Sequence, residues 1–177
     1  MGQLLLVVDL QNGFINDSTK HVVSGVETLI SHFSAKKIPI ALTRFINSPG
    51  SPYVKWVQWS LLMEEPEINL VDNIRDSVCD ISAKVFDKPG YTAFTEEFEA
   101  FLHNHAIDKI ILCGISTEAC VLKTAVDAFE RNIEPVVVQD ACASTDGDEI
   151  HDAGILLISK FIGRGQMITI QDVIENV

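Results

Sequence analysis

Short runs of consecutive apolar residues recur along the chain, and between them apolar positions repeat three and four residues apart. Leu4–Val8, Pro39–Thr43, Lys109–Cys113, Pro135–Val138 and Met167–Ile170 are the mostly continuous runs, the pattern of parallel strands covered on both faces. Ile81–Phe86 alternates instead: Ile81, Ala83 and Val85 interleave with Ser82, Lys84 and Phe86, which predicts an edge strand. Helices are predicted in between. The first starts at a Ser24/Glu27 capping box and carries Val26, Leu29, Ile30 and Phe33 on one face. Others are predicted at Tyr53–Leu62, Thr95–Asn104, Thr117–Arg131, Asp148–Phe161 and Gln171–Glu175. Alternating strands and helices imply an α/β fold: a doubly wound, three-layer αβα domain spanning residues 1–177, with a six-stranded, mainly parallel sheet and right-handed crossovers.

Such sheets bind ligands beyond the carboxyl ends of the strands, where strand order reverses. With the common order 3-2-1-4-5-6, the first and fourth strands flank that crevice. Asp9 ends the first, and Gly114-Ile115-Ser116 ends the fourth. Cys120 follows in the first turn of the next helix, where free N–H groups and the helix dipole favour a thiolate. Leu122, Ala125, Val126 and Phe129 have the spacing of a core-facing stripe. That stripe puts Cys120 on the opposite face, beside Lys123, Thr124 and Asp127.

Asp9 follows five apolar residues and reads either as a strand-ending cap or as a partly desolvated carboxylate suited to take a thiol proton. Gln11, Asn12 and Phe14 follow it. A carboxylate beside a thiolate calls for a cation. Lys84 falls in the alternating strand, whereas Lys88 lies past its end, in a loop marked by Pro89-Gly90, and is the better placed. The N–H groups of Ser116 and Cys120 are candidate oxyanion donors. Phe14, Phe45, Trp56, Trp59 and Tyr91 fall near strand ends as core or pocket aromatics, and Arg44 is placed to meet a substrate carboxylate or a surface acid.

Composition narrows the classes. The 177 residues are 47% hydrophobic, enough for a substantial core. No apolar run approaches the roughly 18 residues of a membrane span, and the chain starts without a signal-peptide n-region, so a cytoplasmic protein is expected. A net charge of −12 argues against a nucleic-acid partner. Cys79, Cys113, Cys120 and Cys142 match neither a disulfide framework nor a zinc site. There is no GxGxxG or Walker loop.

Three segments, Asp9-Leu10-Gln11-Asn12-Gly13-Phe14, Lys88-Pro89-Gly90-Tyr91-Thr92-Ala93-Phe94 and Gly114 to Val121, resemble the isochorismatase-like cysteine hydrolases in kind and in order. The resemblance implies a triad with Asp9 as base, Lys88 as cationic partner and Cys120 as nucleophile. It also implies a cis Ile115–Ser116 peptide at the oxyanion site, and a small-molecule amide or carbamoyl substrate. Gln11, Phe14, Phe45, Trp59 and Tyr91 are the candidate substrate-binding residues. Relatives of this kind are commonly dimers or tetramers, so a homo-oligomer is expected. The nicotinamidase branch carries an Asp-x-His metal motif after its second strand. Here the segment reads Thr43-Arg44-Phe45-Ile46-Asn47, and no His lies between His32 and His103. No metal and no cofactor are therefore expected. Three alternatives stand beside this: vinyl-ether hydrolysis, a serine hydrolase built on Ser116, Asp140 and His151, and a non-catalytic binding protein on the same fold.

Overall fold

The computed structural model describes residues 2–79 and 81–177. Six strands form one sheet: β1 (Gly2–Val8), β2 (Ile40–Phe45), β3 (Ala83–Lys88), β4 (Ile107–Ile115), β5 (Glu134–Ala143) and β6 (Met167–Ile168). Their order is β3-β2-β1-β4-β5-β6, every pair is parallel, and β3 is an edge. This is the doubly wound α/β topology that the apolar runs predict.

The period-2 geometry of β1 sorts its apolar residues between two cores. Leu5 and Val7 face α1 (Val23–Ala35), α2 (Asp72–Val78) and α6 (Ile170–Asn176), packing against Val26, Phe33, Ile74 and Val173. Leu4, Leu6 and Val8 face α3 (Glu96–Asn104), α4 (Leu122–Glu130) and α5 (Asp148–Ile162), packing with Phe98, Ala125 and Ile158. A strand buried on both faces needs apolar residues at every position, which is why β1 reads as an unbroken run. Among the described residues no helix is long and apolar enough to cross a membrane.

Several boundaries differ from the sequence expectation, each for a local reason. The Ser24/Glu27 capping box does not form, because a 3-10 turn at Lys20–Val22 runs directly into α1 and leaves Ser24 inside the helix. Only Tyr53–Val57 of the expected Tyr53–Leu62 helix is helical, as a π-turn closed by Gln58 in the left-handed region. Beyond it, the Asn47 side-chain amide donates to the Trp59 and Leu61 carbonyls and holds the segment as a loop. The short helix α2 escapes the pattern because it buries a single apolar side chain, Ile74. β5 runs past Val138 to Ala143, with a pairing irregularity that accommodates the polar Gln139 and Asp140.

The helix after β4 departs most. Thr117–Val121 is a π-turn, in which the Ser116 carbonyl accepts both the Ala119 and Val121 N–H groups, and α4 begins only at Leu122. The extra residue in that turn rotates the following helix. Val121, Thr124, Ala125 and Ala128 are consequently buried, and Phe129 is 54% exposed. Of the predicted Leu122, Ala125, Val126 and Phe129 stripe, Ala125 is buried and Leu122 packs against the core, but Val126 is half-buried and Phe129 exposed; Cys120 is buried on the same side as Thr124 and Asp127.

Candidate active site

The carboxyl ends of four adjacent strands, β3, β2, β1 and β4, meet at one cleft. Asp9 follows β1 with φ 48, a left-handed conformation that Asp tolerates better than most residues and that turns the chain out of the sheet. In register, Val8 lies beside Gly114. Gly114 has φ +119, and a Cβ there would stand 2.1 Å from the Val8 carbonyl oxygen. Only glycine lets β4 come this close to β1 and so bring the Cys120 turn up to Asp9. The Ile115–Ser116 peptide that opens the turn is cis.

Lys88 is not in a loop, as its Pro-Gly neighbours suggest, but is the last residue of β3, paired with Phe45. Its side chain points inward with Phe86, and both it and the Asp9 side chain are 0% exposed. Lys88 Nζ lies 2.7 Å from Asp9 Oδ2 and 3.5 Å from Cys120 Sγ. It also donates to the Gly90 and Tyr91 carbonyls at 2.8 and 3.1 Å, so the loop after β3 folds back over the ammonium. The Thr43 hydroxyl on β2 completes the arrangement: it donates to Asp9 Oδ1 at 2.7 Å and accepts the Asp9 N–H at 3.2 Å. Asp9, Lys88 and Cys120, drawn from three separate segments, are therefore in one buried cluster.

Burial works against the Lys88 ammonium, but the Asp9 carboxylate and the Cys120 sulfur beside it outweigh that and hold its pKa above the usual lysine range. The Cys120 thiol is pushed far up, first by burial and then by the Asp9 charge, with Lys88 only partly compensating. Burial and the Asp9 carboxyl group therefore act against the helix-start effect that favours a thiolate. The sulfur is enclosed next to a carboxylate, and desolvation exceeds what the helix N-terminus supplies. Lys88 Nζ thus bridges the Asp9 carboxyl group and the Cys120 sulfur at the base of the cluster.

A cleft of about 530 Å³ opens onto Cys120. Phe14, Phe45, Trp59 and Tyr91 line it, as does Ser116. Phe14 stacks on Trp59 at 5.9 Å between ring centroids. Tyr53, Asn16, Glu118, Thr145 and Asp146 also line it and were not legible as site residues in the sequence. Tyr53 meets the Phe45 and Tyr91 rings edge-on at 4.8 and 5.1 Å. Burial, more than its neighbours Tyr91 and Cys120, raises its phenol pKa, so Tyr53 is a hydrogen-bond donor throughout the physiological range.

Gln11 is a correction. Its amide accepts the Phe45 N–H at 2.7 Å and donates to the Phe45 and Ile68 carbonyls at 3.0 and 2.9 Å. With all these bonds directed at backbone it braces the cleft floor and does not line the cleft. Trp56 is 80% exposed and lies away from the cleft lining. Arg44 holds Asp87 through two bonds of 2.7 and 2.8 Å, so it pairs with a surface acid. Lys84 pairs with Glu97 on the surface. The serine-hydrolase triad is not assembled: Ser116 Oγ contacts the Thr145 hydroxyl, His151 Nδ1 contacts the Thr117 hydroxyl at 2.8 Å, and Asp140 accepts the Ile170 N–H. A larger groove, about 880 Å³, lies at the opposite end of the sheet between the starts of β2 and β3 and the end of α3. Its Lys37, Lys84, Glu97 and His105 are all exposed, and none of the buried cluster reaches it. Among the described residues no group of three or more His, Cys, Asp or Glu side chains is placed to hold a metal ion.

Known proteins share both fold and sequence pattern. Residues 3–172 match the model of the isochorismatase domain. Ureidoacrylate amidohydrolase RutB of Azorhizobium caulinodans is 25% identical over 90% of this chain and 84% of its own length. Two solved structures share the fold. An isochorismatase-like hydrolase from Alkaliphilus metalliredigens has TM-score 0.86 and 16% identity, and covers 99% of this chain and 98% of its own. N-carbamoylsarcosine amidase from Thermoplasma acidophilum has TM-score 0.81 and 23% identity, with 96% and 95% covered. With nearly the whole chain matched by one family model, and the strand order and the cleft both in place, this protein belongs to the isochorismatase family.

Proposed function

We propose that the protein is a cysteine hydrolase that cleaves the C–N bond of a small amide or carbamoyl compound through a thioester on Cys120. The convergence of Asp9, Lys88 and Cys120 in one water-poor cluster at the base of the cleft carries this reading. The names of two relatives, an amidohydrolase and an amidase, favour C–N over vinyl-ether chemistry.

In this reading Cys120 Sγ attacks the substrate carbonyl carbon while Asp9 takes the thiol proton. Burial raises the thiol pKa, which favours proton transfer coupled to attack over a preformed thiolate. Lys88 is the counter-charge beside Asp9 and offsets the charge developing on sulfur. The N–H groups of Ser116 and Cys120 receive the oxyanion. As the tetrahedral intermediate collapses, the C–N bond breaks and Asp9 returns the proton to nitrogen, which leaves as ammonia or amine. A water then gives its proton to Asp9 and attacks the thioester. The C–S bond breaks, the acid departs, and the sulfur recovers a proton.

A screen of small primary amides and carbamoyl compounds for ammonia release, with Cys120→Ala as control, tests the proposal. Intact-protein mass spectrometry after acid quench should show the acylated chain, with the label on Cys120. Unchanged turnover in Cys120→Ala removes the nucleophile and with it the mechanism.

A further inference from the structure

Helix α5 is apolar on two sides, and its own fold covers only one of them. Gly154, Ile158 and Ile162 are buried in the core under α3, α4 and α5. Ile150, Leu156, Leu157 and Phe161 are exposed, Leu156 and Phe161 by 64 and 55%. A surface helix needs one apolar stripe to hold it to its domain, and a second one marks a face that something else covers. The helical spacing places much of the second stripe beside α4. Ile150, Gly154, Leu157 and Phe161, at i, i+4, i+7 and i+11, share one side of α5. A Cβ on Gly154 would stand 2.9 Å from the Glu118 nitrogen, so that side faces the turn that opens α4. On α4, the Thr124 hydroxyl accepts the Ala93 N–H and Arg131, just past the helix end, pairs with Glu99, so that flank faces α3. The other flank packs towards α5 and carries the half-buried Val126 and the exposed Phe129.

The seam between α4 and α5 and the outer face of α5 thus carry one apolar surface. At roughly 150–200 Å² for each side chain when fully exposed, the exposed fractions of Phe129, Ile150, Leu156, Leu157 and Phe161 leave on the order of 450 Å². A standard-size interface buries about 800 Å² per chain, and in homodimers about 65% of that is apolar, or roughly 500 Å². Charge selects the occupant. Asp148, Glu149 and Asp152 stand in the first turns of α5, and Lys160 and Arg164 stand at its end. All five are exposed, and none forms an ion pair among the described residues. A second α5 turned end for end would lay Lys160 and Arg164 of each copy beside Glu149 and Asp152 of the other. Such a self-complementary face is what a twofold interface requires.

From the area of this surface and its self-complementary charges, we propose that it is the interface of a homodimer, formed by two antiparallel α5 helices about a twofold axis near Leu156 and Leu157. The apolar residues of the α4/α5 seam form its centre, and the four charged positions pair at its rim. None of these residues lines the cleft, so the interface stands apart from the hydrolase reading.

Sedimentation equilibrium of the full chain at micromolar concentration should give the mass of a dimer. The double variant Leu157→Glu/Phe161→Glu changes two outward-facing side chains, and should raise the dimer dissociation constant at least about a hundredfold with an unchanged circular dichroism spectrum. Charge reversal tests the geometry. Glu149→Lys/Asp152→Lys makes the rim of α5 basic at both ends, and Lys160→Glu/Arg164→Glu makes it acidic at both ends. Each chain alone should be monomeric, and an equimolar mixture should form a heterodimer. A wild type that stays monomeric at about 100 μM overturns the proposal. So does a dimer indifferent to Leu157→Glu/Phe161→Glu, which places the interface elsewhere. Charge-reversed chains that fail to pair on mixing, or that dimerise alone as tightly as the wild type, overturn the antiparallel arrangement.

Discussion

Replacing Lys88 by Met tests the energetics of the buried cluster. The Lys88 and Asp9 charges lie 2.7 Å apart with no solvent exposure on either side chain. At an effective dielectric of about 20, their attraction is about 6 kcal/mol, set against the desolvation of both groups. Met keeps the apolar stem but strands the Asp9 carboxylate, and it also removes the donor of the Gly90 and Tyr91 carbonyls. Breaking a buried pair on one side costs about 3–5 kcal/mol. The loss should depend on pH, with a definite sign. A stranded carboxylate relieves itself by binding a proton in the folded state that the unfolded chain does not hold at neutral pH. Stability then falls as pH rises, so the deficit is largest near pH 8 and smallest near pH 5, as an order-of-magnitude window. Urea unfolding of wild type and variant at both values measures it, with unchanged m-values as the check that the unfolded reference is the same. The double variant Asp9→Leu/Lys88→Met, which removes both charges, should recover much of the loss. A deficit under about 1 kcal/mol, a deficit independent of pH, or a double variant weaker than Lys88→Met would refute the buried ion pair as the dominant interaction here.

The buried thiols and Gly114 give two further expected outcomes. Cys113, Cys120 and Cys142 all have raised thiol pKa values, chiefly from burial, with Cys142 pushed up to about 12. A raised folded pKa leaves stability intact below the unfolded thiol value of about 9 and erodes it above, by roughly 1.4 kcal/mol per pH unit for each thiol. Thermal melts should therefore drop steeply above about pH 9, and Cys120→Ala should flatten that slope by about a third. Gly114→Ala places a Cβ 2.1 Å from the Val8 carbonyl at φ +119, and should cost at least about 3 kcal/mol together with activity. A melting temperature within a degree of wild type would show that β4 does not need that close approach.

The topology was legible in the sequence because strands covered on both faces leave little room for polar residues, so the apolar runs mark them directly. Asp9 was legible for the same reason, as a charge ending such a run. What escaped were features set by backbone geometry. The wide Thr117–Val121 turn shifts the phase of α4, so a helical period counted from Leu122 picks a face that is buried only in part. Lys88 reads as a loop residue because Pro89 and Gly90 follow it, yet the strand runs to its last possible position. Thr43 carries no signal of its own, and Gln11 stands out in its motif without showing that its role is to brace the cleft floor. Thr43 matters through a hydroxyl bond to Asp9 across the sheet, and Gln11 through bonds to the Phe45 backbone thirty-four residues away. Tyr53 was hidden inside a predicted helix that is mostly loop.

These misses share a cause that bears on how the site works. Lys88, Thr43, Asp9 and the Gly114 turn lie at the carboxyl ends of four neighbouring strands, so the charge pair and its hydroxyl brace converge from adjacent strands. Each is individually unfavourable at a buried position and becomes stable only when the neighbouring strands are in register. The cluster therefore exists only in the completed fold. The same enclosure raises the Cys120 thiol pKa, and Lys88 Nζ bridges the sulfur and the Asp9 carboxyl group. A free thiolate at a helix start would react with any electrophile that reached it. In the mechanism we propose, a thiol that ionises only as Asp9 takes its proton would react only with a carbonyl held at the sulfur. Selectivity in that mechanism would come from withholding the nucleophile until substrate is in place.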